Sequence, residues 1–291
     1  MKKRITTILL LAFSALWATA QENTYEIKVG EVTMTVDAGR GAKILSYKYA
    51  DQEVLSQSRF PNSFGSTFWT SPQVEWNWPP VPEHDSRPYT VEEKDGALVM
   101  TSGLSEKIPL RIVKKFTTDP DDNAIVIEYS IINESGADRS VAPWEITRVP
   151  ADGIVFFDAP VEKIWPADLM SFKDESGIAW FKFDQANENR KVNADGKGWL
   201  AFAGNGLLMV KRFQDITPEQ PAPQEAEIQV YVNRGKTYVE LESQGAYTAL
   251  KPGESLTWTV RWYLAPQETP VDETGEVNVG KLREAIAKVK K

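Results

Sequence analysis

Residues 110–116 read L-R-I-V-K-K-F and residues 125–131 read I-V-I-E-Y-S-I, with the turn Asp119–Asn123 between the two runs. In both runs apolar side chains recur at about every second position, the period of a strand with one buried face. An Asp- and Pro-containing turn between two such runs predicts an antiparallel strand pair. This pair sets the pattern for the rest of the chain.

Similar alternating runs flank glycine-containing turns elsewhere. Tyr25–Val29 and Val32–Val36 lie on either side of Gly30, and the turn around Gly204 and Gly206 separates two further runs. Roughly fifteen short strands at regular spacing predict an all-β fold, a large antiparallel sandwich or barrel. One amphipathic helix is predicted at the C-terminal end, from apolar residues spaced by three and four: Val279, Leu282, Ile286 and Val289.

The N-terminal segment has the pattern of a secretory signal. Lys2, Lys3 and Arg4 precede an apolar run, and Ala18-Thr-Ala20 matches a small-residue cleavage motif. We therefore predict a signal peptide over residues 1–20 and a single domain over 21–291. The protein is expected to be exported, soluble, and periplasmic or extracellular.

Charge and composition exclude several classes of function. Removing residues 1–20 changes the net charge from −8 to −11, a surface that repels nucleic acids and anionic membranes. No later stretch reaches the roughly 18 apolar residues of a membrane span. The chain has no cysteine and one histidine, so we expect no metal and no cofactor.

The stretch from Phe64 to Tyr89 is the candidate binding segment. It holds three tryptophans within ten residues, Trp69, Trp76 and Trp78, followed by the only histidine, His84. Flat aromatic rings among polar side chains suit a sugar, which has apolar faces and hydroxyl edges. The alternative is that these rings only close one end of a β core.

Three local patterns resemble the aldose 1-epimerase, or galactose mutarotase-like, superfamily. They are the Gly39–Tyr47 turn and strand, the P-E-H-D-S-R segment at 82–87, and L-E-S-Q at 241–244 followed by L-K-P-G-E at 250–254. The sequence of residues 64–80 also resembles a secreted domain family of uncharacterised function in that superfamily. The resemblance implies a β-supersandwich of two large antiparallel sheets packed face to face.

The resemblance also implies site residues. In the family a Glu acts as general base on the anomeric hydroxyl and a His donates a proton to the ring oxygen. The Glu corresponds here to Glu242, and the sugar-holding His corresponds to His84, with Arg87 beside it. At the position expected for the proton donor this chain has Trp144 and Glu145, so Glu145 serves as an acid only if its pKa is raised by about two units.

These observations support three hypotheses. The leading one is an exported carbohydrate-binding protein whose cleft takes a small sugar or glycan end. Its predicted contacts are Trp69, Trp76, Trp78, Arg87, Trp144 and Arg148. The second hypothesis is an aldose 1-epimerase-like enzyme with Glu242 as base and Glu145 or His84 as acid. The third is a structural or assembly domain without ligand; the sequence indicates no oligomeric state.

Overall fold

A computed structural model describes residues 23–58, 63–175, 177–184, 186–267 and 277–287. The predicted signal peptide lies outside these residues. The alternating runs form strands that pair antiparallel throughout and make two sheets of ten strands each. The fold predicted from the strand pattern is therefore confirmed.

The first sheet, sheet A, contains the N-terminal hairpin and the strands near the candidate residues. Its strands in spatial order are β1 (Thr24–Val29), β2 (Val32–Asp37), β3 (Lys43–Tyr49), β5 (Ser66–Ser71), β10 (Arg139–Val149), β18 (Val239–Gln244), β17 (Ile228–Val232) and β14 (Arg190–Ala194). Two short strands pair at its side, β4 (Gln52–Glu53) with β3 and β19 (Thr248–Leu250) with β10.

The second sheet, sheet B, contains the strand pair with which the sequence analysis began. In spatial order its strands are β12 (Lys173–Glu175), β13 (Ile178–Lys182), β11 (Ile154–Asp158), β15 (Trp199–Gly204), β16 (Leu207–Arg212), β20 (Ser255–Pro266), β9 (Ala124–Asn133), β8 (Leu110–Asp119), β7 (Ala97–Thr101) and β6 (Thr90–Lys94). The full ten-residue pairing of β8 with β9 confirms the predicted antiparallel pair.

The core lies between the two sheets. Phe68 of sheet A stacks on Tyr129 of sheet B with ring centroids 4.2 Å apart. Tyr47 meets Trp262 edge to face at 5.2 Å. These contacts identify which side chains of each strand face the interior, because neighbours along a strand point to opposite faces.

Two α-helices and the short 3-10 helices Gln73–Glu75 and Val161–Lys163 complete the described chain. The helix α2 (Val279–Ala287) is the predicted amphipathic helix, and it buries Val279, Leu282 and Ala285; the predicted contribution of Val289 lies outside the described residues. The single-turn α1 (Pro82–Asp85) lies in the tryptophan-rich segment and was not predicted. None of the described helices is long and apolar enough to cross a membrane.

Candidate functional site

The outer face of sheet A carries the tryptophans. Phe68 points inward to Tyr129, so the next residue of β5, Trp69, points outward. The register pairs Trp69 with Trp144 of β10, and their rings lie 5.4 Å apart. Both indoles therefore lie on the face of sheet A that is turned away from the core.

Four indole rings form one cluster around Trp69, called here the tryptophan cluster. Trp76 lies 5.5 Å and Trp78 lies 6.2 Å from the Trp69 ring, both edge to face. Trp76 is buried, and its Nε1 donates to the carbonyl of Thr70 at 2.8 Å. Trp78 is different because 64% of its surface is exposed. The cluster thus has buried members and one ring open to solvent.

A cavity of about 500 Å³ opens beside this cluster. It lies where the 63–64 and 78–86 segments meet strands β3, β5 and β10. The residues that line it are Arg40, Lys43, Ser63, Phe64, Trp69, Trp78, Pro79, Pro80, Pro82, Asp85, Ser86 and Arg148. Its size is within the range of small-molecule sites.

Asp85 is the carboxylate of the cavity wall. Its Oδ1 accepts from Thr67 Oγ1 at 2.9 Å and from Trp69 Nε1 at 2.8 Å, and its Oδ2 accepts from Lys43 Nζ at 2.8 Å. Burial acts to raise the pKa of Asp85, but the charge of Lys43 and these three donors outweigh burial and hold it below its ordinary value. Asp85 is therefore ionised at neutral pH, which makes it an acceptor and a poor proton donor.

Arg148 of β10 points to the same outer face. Its Nη2 pairs with Glu240 Oε1 at 2.8 Å, and its Nη1 donates to the carbonyl of Phe64 at 3.3 Å. The guanidinium also lies over the rings of Tyr238 and Trp69, at 5.6 and 6.0 Å. These contacts fix the planar cation at the cavity wall.

Glu242 lies beyond Trp144 and does not line the cavity. Its Oε2 accepts from Trp144 Nε1 at 3.0 Å and from Lys191 Nζ at 2.9 Å. Lys191 also lies over the Trp144 ring at 4.9 Å. The carboxylate is buried, so Lys191 and Trp144 cover the predicted base.

Glu145 lies on the other face of the sheet, in the core. Its Oε1 accepts from Tyr129 OH at 2.5 Å and from Trp262 Nε1 at 3.2 Å. Its Oε2 pairs with Lys211 Nζ at 3.1 Å, and both side chains are fully buried. All three partners belong to sheet B, so the backbone of sheet A separates Glu145 from the cavity. This orientation does not favour the predicted role of Glu145 as a proton donor.

His84 and Arg87 do not line the cavity either. His84 is buried, and its Nε2 donates to the carbonyl of Leu110 at 3.0 Å, which ties α1 to sheet B. Burial lowers the pKa of His84, so its ring is neutral at pH 7. Arg87 is exposed and pairs with Glu83 at 2.5 Å.

The structure thus brings three of the predicted binding residues together at one cavity, Trp69, Trp78 and Arg148. Trp76 and Trp144 belong to the same tryptophan cluster without lining the cavity. Sequence reasoning missed Arg40 and Lys43 as wall residues. Both flank the glycine turn at Gly41, and two basic residues around a predicted turn were the signal available in the sequence. No group of metal-ligating side chains is found among the described residues.

The two ten-stranded sheets form the galactose mutarotase-like fold. A galactose mutarotase-like protein from Lactobacillus casei aligns with a TM-score of 0.61 at 11% identity, over 83% of this chain and 100% of that chain. A candidate aldose 1-epimerase from Escherichia coli K12 aligns at 0.55 and 12% identity, over 84% and 99% of the two chains. A galactose mutarotase-like protein from Clostridium acetobutylicum aligns at 0.56 and 9% identity, over 84% and 95%. No protein-family model and no curated protein matches the sequence.

Proposed function

We propose that the protein binds carbohydrate in the cavity beside the tryptophan cluster. The observation that carries the proposal is Trp78, a largely exposed indole at a cavity of about 500 Å³. Leaving a ring of this size in water forgoes hydrophobic stabilisation, which a stacked sugar face would restore. The fold is consistent with the proposal, because several structural neighbours are named as mutarotase-like proteins.

The polar side chains of the wall support the same assignment. The ionised Asp85 accepts hydrogen bonds, and Arg148 donates them, so the wall offers both kinds of partner to hydroxyl groups. A stacked ring with hydrogen bonds at its edge is the recognition pattern that pyranoses require.

Binding is tested by titrating the protein with a panel of aldoses, aldonic and uronic acids, and short glycans while recording tryptophan fluorescence and calorimetric heat. Trp78→Ala is expected to raise the Kd of a sugar that binds by roughly threefold to tenfold. The melting temperature should change little, because the ring is exposed. Trp165→Ala is the matched control, since it removes another half-exposed indole outside the cavity lining and should leave the Kd unchanged. If no ligand of the panel shifts fluorescence, heat or melting temperature, the proposal is wrong.

Sugar epimerisation is the second candidate, and one feature favours it. Glu240 and Glu242 lie two residues apart on β18 and therefore on the same face. Burial raises the pKa of Glu240, with the nearby Glu242 charge acting in the same direction and Arg148 opposing it. A carboxyl with a raised pKa beside a second, hydrogen-bonded carboxyl group is an arrangement suited to acid–base chemistry. Neither group lines the cavity, so we rank binding first.

Polarimetry distinguishes the two candidates. An enzyme would accelerate the mutarotation of freshly dissolved α-aldoses over buffer, and Glu242→Gln would abolish that acceleration while leaving sugar affinity nearly intact. A binding protein would show the fluorescence response and no acceleration with any aldose.

Export remains a separate proposal, supported by the sequence of residues 1–20. N-terminal sequencing of protein from the periplasmic or culture fraction should begin at Gln21. A chain that still begins at Met1 would contradict it.

A further inference from the structure

The cavity wall is more basic than the rest of the protein. Among the described residues it carries three cations, Arg40, Lys43 and Arg148. Against them stands one lining carboxylate, Asp85. The whole chain has the opposite balance, a net charge of −8. A cavity of positive sign within an acidic protein concentrates anions at that one place.

Two of the three cations are neutralised by close partners. Lys43 and Asp85 are buried and pair at 2.8 Å through Oδ2 of the carboxylate. The other oxygen, Oδ1, accepts hydrogen bonds from Trp69 and Thr67. Arg148 pairs with Glu240, also at 2.8 Å, and is itself buried. These pairs have fixed positions, and each approximately cancels its own charge.

Arg40 is the cation whose charge remains available. Its side chain is 64% exposed, and its contact with Asp37 is long, at 3.5 Å. Asp37 is largely buried, but the exposed guanidinium and the long contact make this a weak pair, so the guanidinium can turn from Asp37 to a bound anion. Asp37 does not depend on Arg40 alone, because it also accepts a hydrogen bond from the backbone of Gly39 at 2.9 Å.

We propose that the sugar bound here is acidic, a pyranose with one negative charge from a carboxylate or a sulfate ester. This inference rests on the proposed carbohydrate binding. The pyranose face lies on Trp78, and its acidic group pairs with Arg40 at the cavity wall. A single charge is the match because one wall cation lacks a close partner. Arginine suits the role, since its planar fork binds carboxylate and sulfate oxygens in pairs.

The test compares each acidic sugar with its neutral parent. Glucuronate, galacturonate and mannuronate are titrated calorimetrically beside glucose, galactose and mannose, together with glucose 6-sulfate and glucose 6-phosphate. At least one uronate or the sulfate ester should bind roughly fivefold or more tightly than its parent. The difference should shrink as NaCl rises from about 0.02 M to about 1 M, where the Debye length falls to about 3 Å.

Variants of Arg40 locate the charge. Arg40→Gln should weaken the acidic ligand by roughly threefold, and Arg40→Glu by roughly tenfold or more, while the neutral parent keeps its Kd. Lys28→Gln is the matched control, because Lys28 is a similarly exposed cation paired with Glu26 and lies outside this cavity. It should change neither Kd.

Each outcome gives a separate answer. Equal affinity for acidic and neutral sugars overturns this inference and leaves the proposed binding function standing. A Kd that Arg40→Glu does not change overturns the assignment of Arg40. Tightest binding of glucose 6-phosphate overturns the assignment of a single charge. Absence of binding by every sugar overturns the proposed function itself.

Discussion

At the scale of single residues, the buried pair of Glu145 and Lys211 makes the stability of the fold depend on both side chains together. Both side chains are completely buried, and the Lys211 ammonium also donates to Thr147 Oγ1 at 3.0 Å and to the carbonyl of Leu241 at 3.2 Å. Removing two charges from water costs several kcal/mol per ion, and mutual attraction with full hydrogen bonding offsets that cost. Each partner therefore depends on the other.

Lys211→Met should destabilise the protein by about 3–5 kcal/mol, because it leaves the Glu145 carboxylate buried and without its counter-charge. In Glu145→Gln/Lys211→Met both charges are gone, and the amide can still accept from Tyr129 and Trp262. We expect this double variant to be more stable than Lys211→Met alone. Urea denaturation of the wild type, both single variants and the double variant measures the coupling. Additive effects would contradict the dependence argued here.

The same residues show where prediction from sequence stops. Trp144, Glu145 and Arg148 were all expected in one cleft, yet alternation along a strand places Trp144 and Arg148 on one face and Glu145 on the other. The sequence of β10 did not reveal the faces because nearly the whole strand is buried on both sides. With apolar cover on both faces, period-two patterning gives no direction. The partners of Glu145 come from sheet B, which sequence reading could not pair with it.

At the scale of elements, the turn before β3 packs so closely against α1 that no side chain fits at residue 41. Gly41 has φ +69°, and a Cβ placed on it would lie 2.1 Å from the carbonyl oxygen of Asp85. The backbone N–H of Gly41 donates to the carbonyl of Arg87 at 2.8 Å. The position of Asp85 at the cavity wall therefore depends on the absence of a side chain at residue 41.

Gly41→Ala should destabilise the protein by roughly 2–4 kcal/mol, since it adds left-handed backbone strain to a backbone clash. It should also weaken sugar binding by displacing Asp85 from Trp69 and Thr67. Gly96→Ala is the matched control, at φ +76° with nothing within 4 Å of the added Cβ. Its cost should be about 1 kcal/mol, with binding unchanged. Thermal melts and sugar titrations of both variants decide the matter; equal losses would show that strain alone acts.

At the scale of the whole molecule, the fold followed from local patterns, and the cavity did not. Hairpins such as β1–β2 and β8–β9 are predictable because alternation and turn composition are both local in sequence. The cavity combines Arg40, Asp85 and Arg148, which are far apart in the chain. Their proximity depends on β3, β5 and β10 being neighbours in sheet A, and strand order is a non-local property.

Two buried titratable groups, Lys114 and Glu227, make the stability of the whole chain depend on pH in opposite directions. Burial lowers the pKa of Lys114 to about 7; the amine donates to the carbonyls of Gly41 and Ala42 at 2.7 and 3.0 Å. Burial raises the pKa of Glu227 to about 7; its carboxyl accepts from the backbone of Gly196 at 2.6 Å. Both groups thus titrate near neutrality when folded and far from it when unfolded.

The direction of each pH effect on stability follows from which state, folded or unfolded, holds more protons. Between pH 7 and about 10.5 the unfolded chain holds the Lys114 proton and the folded protein does not, so stability rises with pH in that window. Between about 4.5 and 7 the folded protein holds the Glu227 proton and the unfolded chain has lost it, so stability falls as pH rises. Together the two groups give a minimum near pH 7.

Urea denaturation across pH 4.5–10 isolates each contribution as a difference from the wild type. The stability of wild type relative to Lys114→Met should increase from pH 7 to 10, and that of wild type relative to Glu227→Gln should decrease from pH 4.5 to 7. Lys115→Met, which removes the neighbouring half-exposed lysine, is the control and should give a nearly constant difference. A flat Lys114→Met difference would mean that this amine keeps its proton in the folded protein throughout the range. The carbonyls of Gly41 and Ala42 would then accept from a charged ammonium at every pH of the series.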